Sequence, residues 1–179
     1  MRIKLNSIAI AATVTVGLLA STANAQQTIR FAHVDPADWQ SSKKGAAAEV
    51  FKNIVEGETS LTVELFPAGA LGNEDALVGQ AQDGVTQVVM VSGAMSKACK
   101  AASVLDIPYT FPSAPVAWKV LDGPFGAELA AHCLKQTGLR TLAYGETGFR
   151  NFTNGKREIR TPADMAGLKF RVQPIPLYI

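Results

Sequence analysis

Val85-Thr86-Gln87-Val88-Val89-Met90-Val91 is the stretch on which the fold turns. Its last four residues are apolar without a break, the signature of a strand covered on both faces. Such a strand needs helices above and below it, and the preceding residues supply them. Thr28-Ile29-Arg30-Phe31-Ala32-His33-Val34 is a β-prone run closed by Asp35-Pro36. Ser41 or Ser42 is placed to cap a helix whose apolar residues Ala47, Val50, Phe51 and Ile54 recur at one-face helical spacing. Residues 61–66 alternate as a strand, 67–72 form a loop, and a second helix spans 73–83 with Gly84 as its C-terminal cap. Strand, helix, strand, helix, strand calls for an α/β fold with parallel strands and right-handed helical crossovers. In such folds ligands bind beyond the carboxyl ends of the strands. Here those are the loops 33–39, 67–74 and 92–96.

Downstream, helices are expected over 115–121 and 125–137, the second stopped by Gly138, and a strand over 139–144. A further strand around Arg150-Asn151-Phe152-Thr153-Asn154 follows Gly148 and turns at Asn154-Gly155. Thr161-Pro162-Ala163-Asp164 is a helix start, with a capping hydroxyl, proline in the first helical position and an acid in the first turn. Gly167 limits that helix to about a turn and a half before an expected strand at 168–172.

The N-terminus addresses the compartment. Met1-Arg2-Ile3-Lys4 is basic, residues 8–20 are apolar and uncharged, and Ala23-Asn24-Ala25 has the A-x-A form of a cleavage site. That combination reads as a secretory signal over 1–25. The apolar run is too short for the roughly 20 residues that a membrane-spanning helix needs. The chain carries 17 Lys+Arg against 15 Asp+Glu; losing Arg2 and Lys4 with the signal leaves 15 against 15. A balanced chain with no basic stripe does not suggest nucleic acid as a partner. Cys99 and Cys133 are the only cysteines, and two readings stand for them: a bridge in an oxidising compartment, or two buried thiols.

Enzyme signatures are missing. There is neither a phosphate-binding G-x-x-x-x-G-K-[ST] loop nor a G-x-G-x-x-G turn, so no cofactor is called for. Met90 stands where a G-x-S-x-G elbow at Ser92 needs glycine. His33 and His132 lack metal-ligating neighbours at helical spacing. Two arginines stand out instead. Arg171 interrupts an apolar strand, with Leu168, Phe170 and Val172 on one face and Lys169 and Arg171 on the other. From alternation alone it is either a solvated strand residue or a ligand-facing cation. Arg150, at the crossing after Gly148, is either an ion-pair residue or part of a cleft. A guanidinium matches both oxygens of a carboxylate and stays charged at any relevant pH.

These segments together resemble the solute-binding receptors of tripartite ATP-independent periplasmic (TRAP) transporters, the DctP-like group. The matching pieces are Ile29-Arg30-Phe31-Ala32-His33-Val34, Leu71-Gly72-Asn73-Glu74, Val104-Leu105-Asp106-Ile107-Pro108-Tyr109, Gly148-Phe149-Arg150-Asn151-Phe152-Thr153-Asn154 and the run from Thr161 through Gly167-Leu168-Lys169-Phe170-Arg171-Val172. The resemblance implies a two-lobed periplasmic-binding-protein-like α/β architecture with a mostly parallel sheet in each lobe. It divides the chain into a signal (1–25), a first lobe (26–147) and a crossover that begins a second lobe (148–179), which is largely missing. It also implies an organic-acid ligand, sialic acid, C4-dicarboxylates, keto acids and aromatic acids all being within range, and the membrane permease subunits of a TRAP transporter as partner. By the same resemblance Arg171 binds the ligand carboxylate and Arg150 lines the cleft, with Asn73, Glu74, Val91 and Ser92, and then His33 and Trp39, contributed by first-lobe loops. The family's Gly-plus-basic turn before the second strand is absent, since Glu58-Thr59-Ser60 leads straight into Leu61. An exported enzyme would need a nucleophile or metal set, and a sensor domain would need a downstream membrane segment.

Overall fold

Phe31, Ala32 and His33 leave almost no surface to solvent because the strand that carries them is paired on both sides. The computed structural model describes residues 27–178, so the leader expected over 1–25 lies outside the described residues. Strand β1 (Thr28–His33) is the centre of a three-stranded parallel sheet. On one side lies β2 (Thr62–Phe66), with Phe31 beside Leu65; on the other lies β3 (Val88–Met90), with Phe31 beside Val88. The third strand is shorter than the 85–91 run, and its residues are half-buried rather than fully covered. Gln87 accounts for its start: its side-chain Oε1 accepts from Arg30 N at 2.9 Å, where a ladder carbonyl would otherwise sit.

Helix α1 (Lys43–Glu58) joins β1 to β2, and α2 (Glu74–Gln82) joins β2 to β3. Ser42 caps α1, its Oγ accepting from Gly45 N at 3.0 Å. The buried face of α1 differs from the expected one. Ala48, Phe51 and Val55 pack against Phe31 and Val63, whereas Ala47, Val50 and Ile54 are exposed. The first turn sets this phase. Gly45 lies so close to the preceding loop that a Cβ there would meet Pro36 O at 2.9 Å and Ala37 O at 3.0 Å. That contact turns Lys44, Ala48, Phe51 and Val55 inward together, about one residue out of step with the hydrophobic count. Asn73 caps α2 by accepting from Ala76 N at 2.9 Å, and Glu74 and Asp75 fill its first turn, where carboxylates favour the positive end of the helix dipole.

The remainder is helical, then irregular. A short helix α3 (Met95–Ala98), a 3₁₀ segment (Lys100–Asp106), α4 (Ala114–Leu121) and α5 (Pro124–Thr137) follow the sheet. Cys99 and Cys133 form a disulfide with a Cα–Cα distance of 5.4 Å, at the centre of a second cluster with Ala102 and Leu129. The strands expected at 139–144, 150–154 and 168–172 are not part of any ladder among the described residues. A β-prone run becomes a strand only when a neighbour takes its N–H and C=O groups, and among the described residues none lies beside these. The expected start at Thr161 does form, as a 3₁₀ turn (Pro162–Met165) in which Asp164 accepts from Thr161 N at 2.7 Å.

The strand order β2-β1-β3 places the functional region. The chain leaves β1 in one direction and later crosses back to pair on its other side. A crevice therefore opens beyond the carboxyl ends of β1 and β3.

Candidate ligand-binding site

A cavity of about 670 Å³ lies at that crevice. Val34 and Asp35 reach it from the end of β1, Asn73, Glu74 and Asp75 from the start of α2, and Ser92, Gly93 and Ala94 from the end of β3. The C-terminal segments bring Thr147 to Arg150, Arg171 and Gln173 to Ile175 against it. These segments are held by side-chain packing instead of a ladder. Phe152 and Phe170 meet edge to face at 5.2 Å, which ties the Arg150 segment to the Arg171 segment. Ile175 is buried against Gly93, where any Cβ would overlap it, and Tyr178 donates through its hydroxyl to Asp106 O at 2.8 Å. The segments that carry Arg150 and Arg171 are thereby held against the loops of the sheet, and both residues line the cavity.

The charges in the cavity fall into two groups. Lys44, almost wholly buried, pairs with Glu74 Oε1 at 2.8 Å and Asp35 Oδ1 at 3.4 Å. Lys97 pairs with Asp75 at 2.7 Å. Both lysines are therefore neutralised within the protein. Arg150 and Arg171 make no ion pair among the described residues, although each lines the same cavity. Among the described residues that line the cavity, the cations without an ion pair are these two guanidiniums, whose paired donors suit a carboxylate, and the Lys43 ammonium stands close by at Gly148.

Five of the eight ligand-binding candidates come together here: Arg171, Arg150, Glu74, Asn73 and Ser92. Two have other duties as well. Both Glu74 oxygens are engaged, Oε1 by Lys44 and Oε2 by the backbone N–H of Ser92 at 3.0 Å. Asn73 Oδ1 is spent on the α2 cap. Val91, His33 and Trp39 do not line the cavity. Val91 is half-buried beside the wall that Ser92 forms, and Trp39 stands 61% exposed in the loop before α1. His33 points into the protein, 1% exposed, because β1 is the central strand and this is its inward position. Lys44 was not legible as a site residue, since Lys43-Lys44 reads as an ordinary solvated helix start. Its only signal is its place at i+2 from the capping serine, next to a glycine that forces close approach.

His33 has a stability consequence. Burial is the largest influence on its imidazole and lowers its pKa; Asp35 pulls it back up and Lys44 lowers it further. Its Nδ1 has no hydrogen-bond partner among the described residues. The folded state therefore binds a proton less readily than the unfolded chain, whose histidine titrates near the ordinary value of about 6.5. Its contribution to stability is full above that value and declines as pH falls through the lowered folded pKa. Denaturant titrations between pH 7.5 and 5 are expected to show this loss, and His33→Gln to flatten it.

Residues 31–179 match the DctP family, described as bacterial extracellular solute-binding protein, family 7. The chain belongs to this family. It is 35% identical over 159 residues to the 2,3-diketo-L-gulonate-binding periplasmic protein YiaO of Escherichia coli, covering 87% of this chain and 47% of that protein. Among solved structures, the sugar acid binding protein DctPAm of Advenella mimigardefordensis in complex with galactonate superposes with a TM-score of 0.78 at 33% identity, covering 85% of this chain and 49% of that one. A TRAP periplasmic solute binding protein from Polaromonas sp. JS666 bound to D-erythronate gives 0.78 at 31% identity, over 86% and 50%. The chain thus spans about half the length of the relatives it matches. No helix among the described residues is long and apolar enough to cross a membrane.

Proposed function

We propose that the protein is an exported receptor that captures a small organic acid and passes it to the membrane subunits of a TRAP-type secondary transporter. The observation that carries this reading is the pair of unneutralised guanidiniums, Arg150 and Arg171, in a cavity whose lysines are already paired. Export by the cleavable leader over 1–25 fits the periplasmic naming of the Escherichia coli relative. Membership of a solute-binding family supports a binding role without catalysis.

In this reading residues 26–147 form one lobe, and 148 onward crosses to the other. The acid enters between open lobes, its carboxylate pairs with Arg171 with Arg150 beside it, and the lobes close. Closure follows only because the acid binds the closed form better. Once the cleft excludes water, leaving either partner of the charge pair alone costs on the order of 2–5 kcal/mol. Titration calorimetry on the full-length mature protein with a panel of small organic acids tests the proposal. At least one acid should bind, with its uncharged amide analogue failing to do so. Equal binding of acid and amide would refute a carboxylate receptor.

A further inference from the structure

Lys43 stands at the mouth of the cavity with no partner assigned to it. Ser42 caps α1 and Gly45 presses the first turn against Pro36 and Ala37, and these two contacts fix how that turn is rotated. Lys44 is thereby sent into the protein, while Lys43, about 100° round the helix, stays exposed. Its ammonium comes to rest at the crossing, where a Cβ added to Gly148 would meet Lys43 Nζ at 2.8 Å. Gly148 is a wall residue of the cavity, next to Thr147 and two residues before Arg150. Glycine at 148, with φ of 88°, leaves a berth for the cation that any side chain would narrow.

Among the described residues Lys43 makes no ion pair. The acids of the cavity, Asp35, Glu74 and Asp75, are taken by Lys44 and Lys97, and Glu146 on the crossing is in no ion pair either. Lys43, Arg150 and Arg171 are therefore three cations without a carboxylate at one opening. Like charges so placed repel one another and add nothing to the fold, but together they make a positive field that draws an anion from solution. Lys43 differs from the arginines in where it acts. Both guanidiniums line the cavity, whereas Lys43 stands behind Gly148 at its rim. A hydrated rim charge adds little to a bound complex, because an exposed pair is screened and costs side-chain freedom. Its field still reaches an approaching ion over a Debye length, about 30 Å at 0.01 M salt and about 8 Å at 0.15 M. Rim charges accordingly change association rates and their salt dependence, whereas buried pairs change dissociation.

Resting on the proposed carboxylate receptor, we infer that Lys43 is an electrostatic steering residue, which speeds the capture of an anionic ligand without holding it once bound. The test is stopped-flow tryptophan fluorescence on the full-length mature protein, with galactonate, erythronate and succinate as probes at about 0.01 M and about 0.5 M salt. For a probe that binds, Lys43→Gln should lower the association rate constant about threefold at low salt and Lys43→Glu about tenfold, with Lys43→Arg keeping the original rate. At high salt these differences should shrink below about 1.5-fold, and dissociation rates should stay within about twofold throughout. Charges elsewhere in the receptor act on every variant alike, so the comparison isolates position 43. An association rate that Lys43→Glu leaves unmoved at low salt overturns the inference. So does a loss carried by dissociation, which would make Lys43 a contact of the bound complex. In both cases binding that still needs Arg171 leaves the carboxylate receptor standing. If no probe binds, or if binding survives Arg171→Ala unchanged, both fall.

Discussion

Arg171→Ala in the full-length mature protein is expected to weaken organic-acid binding by at least about 30-fold, or ~2 kcal/mol, measured by titration calorimetry. The size of the effect follows from what the substitution leaves behind. The two lysines in the cavity are committed to Glu74, Asp35 and Asp75, so neither is free to move across and replace the lost guanidinium. Arg150 remains, but it lacks a second cation to share the carboxylate. Arg171→Lys keeps the charge and loses the planar two-donor geometry, so it should recover only part of the loss. Unfolding curves that match the unsubstituted protein would confirm that the loss belongs to the site, since Arg171 is exposed and makes no ion pair among the described residues.

Glu74→Ala should act mainly on the fold, lowering unfolding free energy by about 3–5 kcal/mol in denaturant titration, the usual cost of removing one partner from a buried pair. Lys44 is nearly inaccessible and would keep only Asp35, at 3.4 Å, in place of a carboxylate at 2.8 Å. The backbone N–H of Ser92 would lose its acceptor in the same change, loosening the loop after β3. Glu74→Gln retains an oxygen and a shape close to the original and should cost distinctly less. The double variant Lys44→Met with Glu74→Leu removes both charges and should recover much of the single variant's loss. A loss below about 1 kcal/mol for Glu74→Ala would mean that this pair behaves like a solvated surface contact.

The first half of the fold was readable because its signals are local. Alternation over 61–66, the helix that follows the 67–72 loop and the Gly84 and Gly138 stops all appear in the structure, the two glycines with φ of 74°. The phase of α1 was not readable. Val50 and Ile54 are as apolar as Phe51 and Val55, and only the close approach at Gly45 decides which pair faces the sheet. The downstream strands failed for a different reason. Residues 139–144 and 168–172 have β-prone composition, but pairing is a property of two segments, and a sequence reading sees one at a time. Leu142, Phe149 and Phe152 accordingly remain exposed.

The site divides in the same way. Arg171 is legible as a charge in an apolar run and Arg150 by its place at the crossing after Gly148, and the family resemblance implies a role for both. Their meeting in one cavity depends on the Phe152–Phe170 contact and on Ile175 seated against Gly93. A histidine at a strand's carboxyl end, such as His33, can face the crevice or the core. Strand alternation and the central position of β1 send it inward. Lys44 carries no such signal, because a lysine in the first turn of a helix is ordinarily solvated; its burial comes with two carboxylates that converge on it from other segments.

A crystal structure of the full-length mature protein with a bound organic acid tests the central claim most directly. The expected result is a ligand carboxylate at about 2.7–2.9 Å from two nitrogens of the Arg171 guanidinium, the spacing of a charge-assisted pair. An acid held elsewhere, with the Arg171 side chain turned to solvent, would contradict it.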